Sequence, residues 1–126
     1  MDIEKLMLAI KDAAFEVRKN LAPGYLESVY QNALVHELQL HGLKADKEVP
    51  IPVKYKNVDV GEFKADILVN NCVIIELKAV KELNALHEAQ LVNYLVATGI
   101  DDGYLINYGG EKYRIMRKTR LYTKHF

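Results

Sequence analysis

The chain has 126 residues, half of them apolar, and its 17 Lys/Arg balance 17 Asp/Glu, which is the length and composition of one globular domain and excludes a general, strongly basic nucleic-acid binder. One cysteine, Cys72, excludes an intrachain disulfide and suits a reducing compartment. No apolar run approaches a membrane span and the N-terminus lacks the basic and apolar regions of a secretory signal, so a cytoplasmic protein without membrane association is expected.

Residues 2–20 read as a helix, because Ile3, Leu6, Met7, Ile10, Ala13, Ala14 and Val17 recur at helical spacing. Asp2 is the expected cap, and Arg18 and Lys19 come late, as the helix dipole favours. Nothing in this helix suggests chemistry; it is expected to serve packing or a homo-oligomer surface. Pro23-Gly24 breaks the chain. A second helix is expected from about Tyr25 to His41, ended by Gly42, with Leu26, Val29, Tyr30, Ala33, Leu34 and Leu38 buried. Glu27 sits at the margin of that stripe and is a helix neighbour of Tyr30. It is either a first-turn glutamate favoured by the helix N-terminus or a carboxylate aimed at a site.

Residues 47–55 read as a strand with Val49, Ile51, Val53 and Tyr55 alternating; Pro50 and Pro52 mark it as an edge or a bulge. Lys56-Asn57 turns the chain into a second strand over 58–69, and Asn70-Asn71 turns it again into a third over 73–78. Register decides what this last hairpin displays. A two-residue loop would put Asp66 and Glu76 on opposite faces, whereas a three-residue loop from Asn70 to Cys72 pairs Val69 with Val73 and sets Asp66 opposite Glu76. The three-residue loop is expected, with Asn70 or Asn71 left-handed. It also sets Lys64 opposite Lys78, and Glu76 and Lys78, two apart, share a face. Two half-buried carboxylates repel unless a cation lies between them, and hard oxygen ligands suit magnesium or manganese. The competing reading is a polar strand face salt-bridged by Lys64 and Lys78.

Residues 83–98 read as a helix stopped by Gly99, with Leu83, His87, Gln90, Tyr94 and Ala97 along one stripe. Gln90 and Tyr94 lie one turn apart; they either satisfy each other or face a phosphate or a coordinated water. His87, alone at helical spacing, is expected to be a satisfied packing residue rather than a ligand. A closing hairpin is expected from strands at 103–107 and 112–117 around Tyr108-Gly109-Gly110. Six of the 17 basic residues and none of the 17 acidic ones follow Glu111, so residues 112–126 form a basic strand and tail. Such a strip either holds phosphates or protects a sheet edge. The order ααβββαββ, with a helix between the third and fourth strands, permits a parallel crossover and predicts an α/β fold: a central mixed sheet flanked by helices.

Asp66, nine residues, then Glu76-Leu77-Lys78 resembles the D…ExK signature of the PD-(D/E)XK nuclease superfamily. Gly24-Tyr25-Leu26-Glu27-Ser28-Val29-Tyr30 matches the GxxExxY motif that names one family within it, and Gln90-Leu91-Val92-Asn93-Tyr94 resembles the QxxxY helix motif of RecB-like nucleases. The first signature alone is loose and common; the three in this order are much more specific. The resemblance covers about Leu21 to Tyr122, with Ala65 standing where the superfamily name has proline. It implies a single restriction-endonuclease-like domain over 1–126, residues 1–20 being a packing helix. It implies a metal-dependent nuclease hydrolysing phosphodiester bonds in DNA or RNA. Asp66, Glu76 and the Leu77 carbonyl would hold Mg²⁺ or Mn²⁺, with Glu27 completing the set. Lys78 would orient or deprotonate the attacking water. Gln90, Tyr94 and Tyr30 would position substrate, and Arg114, Arg117 and Lys118 would meet phosphates. The alternative is a catalytically silent nuclease-fold binding or accessory module. Zero net charge and small size fit that alternative; the joint presence of Asp66, Glu76 and Lys78 opposes it.

Overall fold

A computed structural model describes residues 1–120. Tyr122 and Lys124, at the end of the expected basic tail, lie outside the described residues. The elements are α1 (Ile3–Asn20), α2 (Glu27–Leu40), β1 (Ala45–Tyr55), β2 (Val58–Val69), β3 (Val73–Lys78), α3 (Ala85–Thr98), β4 (Asp102–Asn107) and β5 (Arg114–Thr119). The order is the one the sequence predicts. The strands form one five-stranded sheet in sequence order. β3 and β4 are parallel, joined through α3, and the other neighbours are antiparallel. This mixed sheet flanked by helices is consistent with a restriction-endonuclease-like fold.

β3 is central and buried on both sides, which is why Val73-Ile74-Ile75 is a continuous apolar run rather than an alternating one. Ile75 and Leu77 pack with Leu6, Ile10 and Leu34 under α1 and α2. Ile74 packs the other way, with Leu91 and Leu95 of α3 and with Leu105. The side chain of Glu76 follows Ile74 by strand alternation and so points into the α3 layer.

The register of the central hairpin is the expected one: Val69 pairs with Val73 and Ile67 with Ile75. Asn70 and Asn71 are both left-handed, with φ of 50° and 56°. Lys56 and Asn57 are left-handed too, as a tight turn between right-twisted strands requires. β1 is an edge of the sheet, which explains how it tolerates Pro50 and Pro52. Its outer half is less buried than its alternation predicts: Ile51 is buried, but Tyr55 is exposed because no helix reaches the far end of the β1–β2 ribbon.

That ribbon also changes partner as it passes the site. Ala45, Ile67 and Val69 pack in the α1/α2 cluster, whereas Val49, Ile51, Phe63 and Ala65 pack against α3. Plain alternation would keep these odd-numbered residues on one side of the sheet. The swing falls at Asp66 and at Glu48, whose φ of 55° is left-handed. The expected buried face of α2 needs correction. The helix starts at Glu27 with Leu26 as its cap residue, so Leu26 is 77% exposed and Val29 36% exposed. Gln31, only 7% exposed, is buried in their place.

Candidate active site

Each carboxylate of the central hairpin is anchored on the other strand's backbone. The Leu77 N–H donates to Asp66 Oδ2 at 2.7 Å, and the Asp66 N–H donates to Glu76 Oε1 at 3.2 Å. Both side chains therefore lie on one side of the sheet, as the three-residue loop demands. Glu76 is 5% exposed. Burial, and next the Asp66 charge, push its carboxyl up to about 9. Burial also raises Asp66, against the pull of the Leu77 N–H.

The helices add to this pair. Burial raises the Glu27 carboxyl, and Asp66 raises it further, while Lys78 opposes both. Glu27 is itself exposed at the start of α2, and it is the Asp66 charge that reaches it. From α3, Gln90 Oε1 accepts from Lys78 Nζ at 3.5 Å. Tyr94, one turn beyond Gln90, has its hydroxyl raised first by burial and then by Glu76 and Asp66. Asp66 and Glu76 are thus paired through backbone bonds, and Lys78 is tied to Gln90 of α3, with Tyr94 one turn further along that helix. His87 does not join them. Its Nδ1 accepts from the Asn84 N–H at 3.2 Å and its own N–H donates to Asn84 Oδ1 at 3.1 Å, which closes the start of α3.

Other residues expected at the site are placed elsewhere. Tyr30 is fully buried, stacks on Tyr108 with centroids 4.9 Å apart and donates its hydroxyl to the Ala22 carbonyl at 2.6 Å. It fixes the loop before α2 instead of lining the cleft. Arg117 is held by Glu4 at 2.8 Å and Asp102 at 2.9 Å, and Lys118 pairs with Glu88. Arg114 lines a cavity of about 450 Å³ with Lys81, Glu82, Asn107 and Lys112.

Two residues of the cleft carry no motif. Gln31 Nε2 donates to the Asp66 carbonyl at 2.8 Å and to Glu48 Oε1 at 3.0 Å. It fills the place where the ribbon swings and fixes Glu48 there, and the Glu48 charge helps to raise Asp66 and Glu27. Gln31 lies four residues after Glu27, hence on the same helix face, and that spacing was the available signal. Glu48 had none, because its link to the site is a single bond from Gln31, 17 residues away in another element.

Among the described residues, Glu27, Glu48, Asp66 and Glu76 enter no salt bridge; neither Lys64 nor Lys78 neutralises them. Of these, Glu76 is buried, Asp66 partly so, and Glu27 and Glu48 are exposed; an unpaired buried carboxylate is costly, and hard oxygen donors such as the Asp66–Glu76 pair fit a small divalent cation. The preformed part of such a site is the Asp66–Glu76 pair. No three acidic, histidine or cysteine side chains among the described residues close into a full coordination set.

A model of the PD-(D/E)XK nuclease superfamily matches residues 4–119. The chain belongs to that superfamily. Among solved structures, one titled "Crystal structure of SSO0001" matches with a TM-score of 0.58 and 19% identity, covering 76% of this chain and 50% of that one. This chain therefore spans half the length of that protein, and the likeness is one of fold. No curated protein matches.

Proposed function

We propose that the protein is a divalent-metal-dependent nuclease of the GxxExxY kind, hydrolysing phosphodiester bonds in nucleic acid. The observation that carries this reading is the Asp66–Glu76 pair, each carboxylate bonded to the other strand's backbone and neither in a salt bridge among the described residues, with Lys78 two residues beyond Glu76. Asp66 and Glu76, with the Leu77 carbonyl and Glu27, are the groups to hold Mg²⁺ or Mn²⁺. When bound, the ion supplies positive charge against the phosphodiester and makes water acidic enough to yield a nucleophile. The residues of the chain do the rest. Lys78, steadied by Gln90, orients the attacking water and offsets charge developing on the phosphoryl oxygens. Gln90 and Tyr94 bind the phosphate flank of the substrate. Gln31 and the two backbone N–H bonds keep the carboxylates in place before substrate arrives.

The test is hydrolysis of single- and double-stranded DNA and RNA in Mg²⁺, in Mn²⁺ and in EDTA. Lys78→Ala is expected to lower the rate by about a hundredfold or more, the scale for removing a positioned proton-transfer group. A crystal soaked in Mn²⁺ should show anomalous density between Asp66 and Glu76. An empty site at high Mn²⁺, together with no hydrolysis of any substrate, would assign the chain to the silent accessory class.

A further inference from the structure

Beside the carboxylates lies a groove of about 860 Å³ between α3 and the β1–β2 ribbon. That volume falls in the range of small-molecule sites, so it is large enough for a base. Pro50, Pro52 and Val53 line one side and Val96 and Ala97 the other. Phe63 and Tyr94, also in the lining, stack on each other with ring centroids 3.4 Å apart and planes 9° from parallel. Both rings are only half-buried. A pair that served only to staple α3 to β2 would be closed over by its neighbours; this one is left open along the groove.

Tyr94 belongs to two places at once. Its ring is in the groove, and Gln90, one turn earlier on α3, accepts from Lys78 Nζ at 3.5 Å on the strand that carries Glu76. A chain whose phosphate sits at the carboxylates therefore has its adjoining group within reach of the aromatic pair. The lining is apolar and aromatic, with the Asn93 amide as a neutral polar group and Lys54 as its one charged side chain. Aromatic faces with apolar walls suit a flat, neutral π-system; a phosphate or a sugar would find few partners there. In a duplex, bases are already stacked and paired and offer no face to such a groove.

We infer that this groove is a nucleobase subsite, holding one unstacked base next to the scissile phosphate, and that the substrate is single-stranded or locally unpaired nucleic acid. The inference takes its occupant from the nuclease reading of the adjacent carboxylates.

The chain contains no tryptophan, so Phe63→Trp keeps an aromatic platform and installs a sole indole there that can be excited apart from the tyrosines. Titrated in Ca²⁺ with a short oligothymidylate, its emission should be quenched at concentrations about tenfold or more below those needed with a blunt duplex of the same length, the scale of one base–aromatic stack. Ala97→Phe, at an exposed α3 position, narrows the groove without touching the core. Followed by anisotropy of a labelled oligonucleotide in otherwise native protein, it should weaken single-strand binding by about tenfold and leave duplex binding unchanged. This second measurement stands even where Phe63→Trp does not fold. Equal affinity of Ala97→Phe and the native protein for the single strand, or native preference for the duplex, overturns the inference. Metal-dependent hydrolysis combined with either result removes the base subsite and leaves the nuclease reading intact. Groove-dependent oligonucleotide binding with no hydrolysis in Mg²⁺ or Mn²⁺ removes the nuclease reading and retains the subsite.

Discussion

Asp66 does two jobs that separate by mutation: its Oδ2 accepts the Leu77 N–H at 2.7 Å, and its charge repels Glu76. Asp66→Asn keeps an acceptor for the N–H and removes the charge. In EDTA this variant should be as stable as the native protein or more stable by about 0.5–2 kcal/mol, as when a strained functional site is relieved. Asp66→Ala also removes the acceptor and should cost about 1–3 kcal/mol for the unsatisfied N–H. Excess Mg²⁺ should raise the native melting temperature, following RT ln(1 + [L]/Kd), and should not raise that of Asp66→Asn. The pH dependence has a definite sign. The Glu76 carboxyl is raised from 4.5 to about 9, so the metal-free native state holds a proton that the unfolded state releases. Metal-free stability should therefore be greatest below pH 4.5 and should fall as pH rises towards about 9. Asp66→Asn removes a cause of that shift, so its melts across the same range should fall less. An Asn variant that melts well below the native protein in EDTA, with no Mg²⁺ shift in either, would leave the carboxylates as structural groups.

At the scale of elements, what places Lys78 is the clamp at the end of β3. The Lys78 carbonyl accepts the Tyr108 N–H at 2.9 Å. Asn107, 1% exposed, accepts the Val80 N–H at 3.1 Å and the Gly109 N–H at 3.0 Å, and donates to the Val80 carbonyl at 2.9 Å. Gly109 closes against this turn so tightly that a Cβ would overlap the Ala79 backbone. Asn107→Asp replaces the donor with an acceptor facing the Val80 carbonyl and should lower stability by about 1–3 kcal/mol, read from the urea midpoint, whereas a solvent-exposed asparagine would tolerate the change. None of this clamp was legible beforehand, because it joins residues 27 apart through side-chain contacts that leave no local period. What was legible is local. Apolar spacing located α1, α3 and the strands, and the Asn70-Asn71 turn, with the alternation on either side of it, set the register that brings Asp66 to Glu76. Gln90 was singled out through its motif, and it bonds Lys78. Leu26 was misread because it is the cap residue of α2 rather than part of its apolar stripe, and Val29, in the first turn, stays exposed. Glu48 escaped notice because its role depends on a bond from Gln31, in another element.

For the molecule as a whole, zero net charge conceals a strong asymmetry, since the segment after Glu111 holds six basic residues and no acidic one. The fold largely neutralises it. Arg117 lies between Glu4 of α1 and Asp102 of β4, Lys118 meets Glu88 of α3, and Arg120 meets Asp101. β5 is an edge strand, and these pairs tie it to the helices on both faces of the sheet. Exposed ion pairs of this kind contribute little, about 0–1 kcal/mol each, but a cation already paired also has less to gain from a phosphate. Arg114 and Lys112 are different: they line the open cavity beside Lys81 and enter no salt bridge among the described residues. If backbone phosphates reach this edge, they reach it there. Arg114→Gln combined with Lys112→Gln should flatten the log–log dependence of nucleic-acid affinity on salt by about one unit per lost contact. Arg117→Gln combined with Lys118→Gln should leave that slope unchanged and lower the melting temperature slightly. Slopes measured by anisotropy over a range of KCl decide the matter. A slope that drops for the Arg117 and Lys118 pair, and not for Arg114 and Lys112, would mean that the ion pairs open on binding and that β5 faces the nucleic acid after all.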